Sequence, residues 1–294
     1  MIPVPGYGAE DVVVGADGDV FTGTEDGVVH RIRGESVTAV ANTGGRPLGI
    51  ELLPDGRLLV CDARRGLLAV ATEGGEVESL AGGMVFCNNA AVARDGTIYF
   101  SDSSAVHPLD EWRAEVIEVT GTGRLLRRTP GGALGVLEEG LNFANGVALA
   151  EDESFVAVAE TATRNVVRHW LTGERAGRRD YLVEGLPGYP DNIARGSDGL
   201  IWVTIASPRD PLVERLQRGP LWLRRQVTRI PQPLQPAPKR TVRVQAYQPD
   251  GTLARDLSAE ARGFHMVTGV REHLGDVWLG SLHEPAVAVL TADR

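Results

Sequence analysis

The chain has 294 residues, 36 of them glycine, and a formal net charge of −9. That length admits one large β domain or two ordinary ones and can bury a sizeable core; the acidic balance argues against nucleic acid as a general partner. No apolar run approaches the ~20 residues of a transmembrane helix, and residues 1–8 lack the basic and apolar regions of a secretion signal, which predicts a cytoplasmic protein.

In chain order, residues 1–8 are Pro-rich and read as an extended segment, able to add an outer strand to the last repeat and close a ring. A first hairpin follows at 9–24, built as an apolar run, Asp17-Gly18, and a second apolar run. Two β-rich runs around Asp-Gly are the strongest short-range hairpin signal. The pattern returns at 47–60 around Asp55, at 87–102 around Asp95, at 143–159 around Asp152 and at 189–204 around Asp198. A last copy at 267–279 has Leu274-Gly275 in place of Asp-Gly. The turns at 17, 55 and 95 lie 38 and 40 residues apart, the length of one four-stranded propeller blade. Six hairpins in one register predict an all-β, six-bladed β-propeller, one domain over 1–294.

Residues 209–240 depart from the pattern, with eight basic residues against Asp210 and Glu214. Leu212, Leu216 and Leu221-Trp222-Leu223 suggest one or two short amphipathic helices, followed by a Pro-rich return to strand at 241–247. A helical insert in the fifth blade is therefore expected, as a solvated cap, a lid over the channel mouth, or a contact for anionic membrane. It is expected to be the one sizeable helical piece. Cys61 and Cys87 are too few for a disulfide framework and read as two buried thiols, although a pair stays open.

The candidate site comes from the register. Seven residues before the turn positions stand Glu10, Leu48, Asn88, Asn145, Asp191 and Thr268. One register of a radial repeat forms one ring about the axis. Glu10, Asn88, Asn145 and Asp191 make an oxygen-only set suited to a hard divalent cation, Ca²⁺ before Mg²⁺, with Mn²⁺ or Zn²⁺ as further possibilities. Without a cation, two carboxylates on one ring would repel. Asp191 would be a ligand and also a base or nucleophile, Asn145 would orient the bound oxygen, and Glu10 would be chiefly a structural ligand. Asn89, His107, His265 and Thr268 are candidate substrate contacts around the ring. Asp102 and Glu160, which end second strands, are expected to bond backbone.

The motifs Arg46-Pro-Leu-Gly49, Tyr99-Phe-Ser-Asp-Ser-Ser104, Phe143-Ala-Asn-Gly146, Leu186-Pro-Gly-Tyr-Pro-Asp-Asn192, Val270-Arg-Glu-His273 and Gly280-Ser-Leu-His283 resemble the strictosidine synthase-like branch of the gluconolactonase and senescence marker protein superfamily. The resemblance spans nearly the whole chain. It implies a six-bladed propeller with a divalent metal, usually Ca²⁺, in the central channel, and relatives that hydrolyse lactones, esters or organophosphates. The metal ligands it implies fall on Glu10, Asn88, Asn145 and Asp191. Two departures stand out. The family's Asn-Asp pair is Asn88-Asn89 here, and Thr268 occupies the place of the catalytic Glu of the plant synthases. The chemistry expected is metal-dependent hydrolysis of a small-molecule lactone or aryl ester. The alternatives are a non-catalytic binding propeller with a structural Ca²⁺, or a carbon–carbon bond-forming synthase.

Overall fold

A computed structural model describes residues 1–230, 239–259 and 263–291. The hairpins assemble into six four-stranded antiparallel sheets arranged as the blades of a β-propeller. Blade 6 is closed by the outer strand β1 (Ile2–Pro3). Blade 1 is β2 (Val12–Val14), β3 (Val20–Gly23), β4 (Val28–Arg33) and β5 (Ser36–Asn42). Blade 2 is β6 (Pro47–Leu52), β7 (Leu58–Asp62), β8 (Gly66–Val70) and β9 (Val77–Ala81). Blade 3 is β10 (Cys87–Val92) and β11 (Ile98–Asp102), then helix α1 (Trp112–Glu118), β12 (Gly123–Arg128) and β13 (Leu134–Leu141). Blade 4 is β14 (Ala144–Leu149), β15 (Phe155–Glu160), β16 (Asn165–Trp170) and β17 (Arg179–Val183). Blade 5 is β18 (Gly188–Arg195) and β19 (Ile201–Pro208), helices α2 (Pro211–Gln217) and α3 (Leu221–Thr228), then β20 (Val242–Tyr247) and β21 (Leu253–Ala259). Blade 6 is β22 (Val267–His273), β23 (Asp276–Ser281) and β24 (Ala286–Thr291), whose free edge β1 covers. First and last segments of the chain thus share one sheet, which leaves β24 no unpaired edge.

The core is divided as radial repetition requires. Six buried apolar clusters lie one at each blade-to-blade interface, such as Phe155, Ile193 and Val203 between blades 4 and 5. Cys61 and Cys87 belong to the cluster between blades 2 and 3 and are free thiols. A seventh cluster sits at one end of the axis, where Leu48, Phe86, Phe143 and Tyr189 form a collar at the inner strand starts and Val116 of α1 packs onto it.

The expected insert in blade 5 is helical at α2 and α3; its Pro-rich part, 231–238, lies outside the described residues. Asp210 caps α2, accepting the Leu212 amide at 2.8 Å. The expectation of a single helical piece needs correction. Blade 3 carries α1 after a 3₁₀ turn at Leu109–Glu111. Its seven residues are too short for a clear helical period in the sequence, and they hold shape by tertiary anchoring. The Glu115 carboxylate, fully buried, takes the Ser104 and Thr120 hydroxyls at 2.7 and 2.6 Å.

Candidate metal centre in the axial cavity

The inner strands do not run straight past the axis. In blades 2, 3, 4, 5 and 6 the pairing of first and second strands breaks where the ring residue stands: between Pro47 and Ile50, Cys87 and Ala90, Ala144 and Val147, Pro190 and Ile193, and Val267 and Val270. Such bulges re-aim side chains, and here they bring two successive residues of each blade to the axis. The first forms the ring Glu10, Leu48, Asn88, Asn145, Asp191 and Thr268. The second forms a ring Asp11, Gly49, Asn89, Gly146, Asn192 and Gly269, in which polar residues and glycines alternate.

The alternation is steric. A Cβ on Gly49 would lie 2.6 Å from the Asn89 Cα, one on Gly146 2.0 Å from the Ile193 nitrogen, and one on Gly269 2.6 Å from the Asp11 Cα. Each glycine makes room for the polar residue of the next blade. That residue stitches blades together. Asp11 accepts the Ile50 amide and the Asn89 Nδ2, both at 3.1 Å, and the Asn89 Oδ1 accepts the Val147 amide at 2.9 Å. Thr22, Ser101 and Thr204 on the second strands donate hydroxyls to the carbonyls of Asp11, Asn89 and Asn192.

All four expected ligands, Glu10, Asn88, Asn145 and Asp191, line one cavity of about 440 Å³ at the collar end of the axis, together with Thr268. Around these oxygens the wall is mainly apolar, with Leu48, Phe86, Trp112, Val116, Phe143, Met266 and Leu282, and Arg113, Asp210 and Lys239 add charged groups to the lining. Val213 and Leu216 of α2 and Val227 of α3 complete it, so these two helices cover the channel mouth. They are bolted down through α1. Gln217 donates to the carbonyls of Val116 and Ala162 at 2.8 and 3.1 Å, and Thr228 donates to the Glu118 carboxylate at 3.1 Å.

The polar atoms of the ring are arranged to present oxygen. Asn88 Nδ2 donates to the Ser103 hydroxyl at 3.0 Å and Asn145 Nδ2 to the Thr161 hydroxyl at 3.1 Å. Both carboxamide oxygens are buried with no hydrogen-bond partner. Buried acceptors are rarely left so. Burial is the main force raising both ring carboxyls. It pushes Asp191 from its ordinary 3.8 to about 8, with the Asp11 charge adding to the rise and the neighbouring Asn145 amide opposing it. Glu10 is held well above its ordinary value by burial, then by the charges of Asp11 and Asp191, against Arg46 and Asn192. Neither carboxylate forms a salt bridge among the described residues. A hard divalent cation fits this donor set: it would favour the charged form of both carboxyls and answer two orphaned oxygens at once. Among the described residues no three His, Cys, Asp or Glu side chains come together as a metal site, so the carboxamides are indispensable to it.

Other expected contacts fall elsewhere. Asn89, with both ends of its amide engaged in the stitching, does not line the cavity. His107 lies in a separate recess behind α1, where its ring nitrogens reach Glu111 at 2.9 Å and Glu118 at 3.3 Å. His265 is paired with Glu284 and packs edge-on against His283, ring centres 5.4 Å apart. Thr268 lines the cavity but its hydroxyl is spent on the Glu10 carbonyl at 2.8 Å. As expected, Asp102 and Glu160 bond backbone, holding the amides of Phe86 and Asn142 at 2.8 and 2.9 Å.

Sequence reasoning passed over Asn192. Its Nδ2 donates to both Glu10 carboxylate oxygens at 3.1 and 3.2 Å, and its Oδ1 is buried without a partner. The available signal was that the polar ring residues of blades 1, 3 and 5 are each followed by a second polar residue, in Glu10-Asp11, Asn88-Asn89 and Asp191-Asn192.

Comparison with known proteins shows the family and the fold. A family model described as strictosidine synthase matches residues 88–174, and one described as strictosidine synthase-like, N-terminal, matches residues 1–32. The chain is 33% identical over 331 aligned residues to the adipocyte plasma membrane-associated protein of Salmo salar, covering 97% of this chain and 77% of that one. Among solved structures, a gluconolactonase from Xanthomonas campestris superposes with a TM-score of 0.70 at 16% identity, covering 98% of this chain and 87% of that one. A regucalcin from Agrobacterium tumefaciens, described as a calcium-binding protein, does so with a TM-score of 0.66 at 14% identity, covering 96% of this chain and 84% of that one.

Proposed function

Given that the chain belongs to the strictosidine synthase-like branch of the gluconolactonase and senescence marker protein superfamily, we propose that it is a Ca²⁺-dependent hydrolase of lactones or aryl esters. The observation that carries this is the contrast inside the cavity. The wall is mainly apolar, and the ring at its axial side brings two raised carboxyls and two carboxamide oxygens without partners. Glu10, Asn88, Asn145 and Asp191 would hold the ion, with Asn192 bracing Glu10. When bound, such a cation supplies Lewis acidity toward a carbonyl oxygen.

The protein's own part is positional. The collar and the lid exclude water and hold the apolar body of an ester. Ser103 and Thr161 keep the two carboxamides turned oxygen-inward. Asp191, as a carboxylate, would take a proton from an attacking water as the alkoxide or phenoxide departs, or would attack the ester carbonyl itself with loss of the same group. Thr268, in place of a synthase glutamate, leaves the carbon–carbon bond-forming alternative without its acid–base group.

The test is a panel of γ- and δ-lactones, phenyl acetate and paraoxon, run with Ca²⁺ and with EDTA, on the wild type and on Asp191→Asn. Metal-dependent turnover that vanishes in the variant with the fold intact is the expected result. An inert panel, or turnover that survives the substitution, overturns the mechanism. A second reading is a non-catalytic binding propeller with a structural ion. That reading predicts ligand binding without turnover.

A further inference from the structure

We propose that the helical lid is a docking surface for an anionic lipid bilayer. Its outer face exposes large apolar side chains among basic ones. Trp222 is 66% exposed, Leu212 55% and Leu221 40%. These side chains sit on two short helices and are not loosely held, since α2 and α3 are fixed to α1 and the channel mouth by Gln217, Arg224 and Thr228.

Charge selects the partner. Residues 209–240 carry eight basic and two acidic side chains, a net of +6, so the rest of a chain of net −9 carries −15. Arg215 and Arg218 of this segment are exposed and form no salt bridge among the described residues. An anionic surface would repel the blades and attract this one end, which orients the molecule. Lipid answers both halves of the pattern. Headgroup phosphates meet the arginines, and the interfacial zone receives leucines and a tryptophan, whose amphipathic ring favours that depth.

The surface is continuous with the cavity. Leu212 lines the cavity and is also exposed, so it stands at the rim between lid and interior. An apolar ligand could pass from bilayer to cavity along the lid without crossing bulk water. No helix among the described residues is long and apolar enough to cross a membrane, and the contact proposed is peripheral.

Flotation of the full chain with phosphatidylcholine vesicles, with and without phosphatidylglycerol, tests this. The expected result is flotation with the anionic vesicles only, weakening as salt is added. Reversing two charges in Arg215→Glu/Arg218→Glu should lower partitioning at least roughly tenfold. Trp222→Ser should also release the protein, with the melting temperature of both variants unchanged. None of these three residues lines the cavity, so lactone turnover in solution is untouched. Failure to float with either vesicle overturns the proposal. So does equal flotation with neutral vesicles, persistence of binding in both variants, or capture by an acidic polypeptide in place of lipid. The readout needs no turnover, so a chain that hydrolyses nothing can still float, and an active one can still fail.

Discussion

Calcium binding to this ring should displace protons. Asp191 is raised to about 8 and Glu10 well above its ordinary value. Near pH 6 Asp191 is therefore protonated in the metal-free protein, Glu10 is shifted in the same direction, and a cation must expel any proton held there to use the oxygens. One displaced proton makes the apparent affinity rise tenfold per pH unit below the raised value, so the Asp191 proton alone gives about a hundredfold tightening from pH 6 to pH 8. A second proton from Glu10 would steepen it. Stability has the opposite sign without metal. A carboxyl whose folded value lies above its ordinary 3.8 contributes fully below about pH 4 and loses that contribution as pH rises through about 8. Asp11, raised to about 6 chiefly by burial, acts in the same direction. The gap in melting temperature between Ca²⁺-loaded and EDTA-treated protein should therefore widen from pH 5 to pH 8. Titration calorimetry in buffers of different ionisation enthalpy counts the protons directly. Affinity that is flat between pH 6 and pH 8, with no proton release, would refute the assignment of these two carboxyls to one ion.

Three further outcomes follow from individual contacts. Ser103→Ala and Thr161→Val free the amides of Asn88 and Asn145, and each should weaken Ca²⁺ affinity roughly tenfold to a hundredfold, read by calorimetry. Gly146→Ala places a Cβ 2.0 Å from the Ile193 nitrogen and should cost about 2–4 kcal/mol in chemical denaturation, while the same change at exposed Gly56, whose φ of +85° alone is strained, should cost about 1 kcal/mol. Deleting residues 1–4 removes β1 from blade 6 and uncovers the edge of β24, so the melting temperature should fall and light scattering should report aggregation.

The hairpins, their number and the ring were legible because each is local. A turn such as Asp95-Gly96 and its two flanking runs lie within 16 residues, and counting seven back from it reaches Asn88 without knowing any distant contact. The ring-closing strand at residues 2–3 was legible for a similar reason, since a Pro-rich extended start has one open edge left to join. The fate of each polar residue was decided across the molecule. Asn88 and Asn89 are adjacent and chemically identical, yet Asn88 lines the cavity while Asn89 is consumed by partners 78 and 58 residues away. Asn192 matters through Glu10, 182 residues distant. Helix α1 and the apolar wall it completes are likewise products of the collar, because seven residues do not hold a helix by their own propensity. Turn chemistry and strand period act over one hairpin and are written in it. Which face of a bulge meets solvent, a neighbouring blade or the axial cavity depends on where six hairpins come to rest, and only the closed ring determines that.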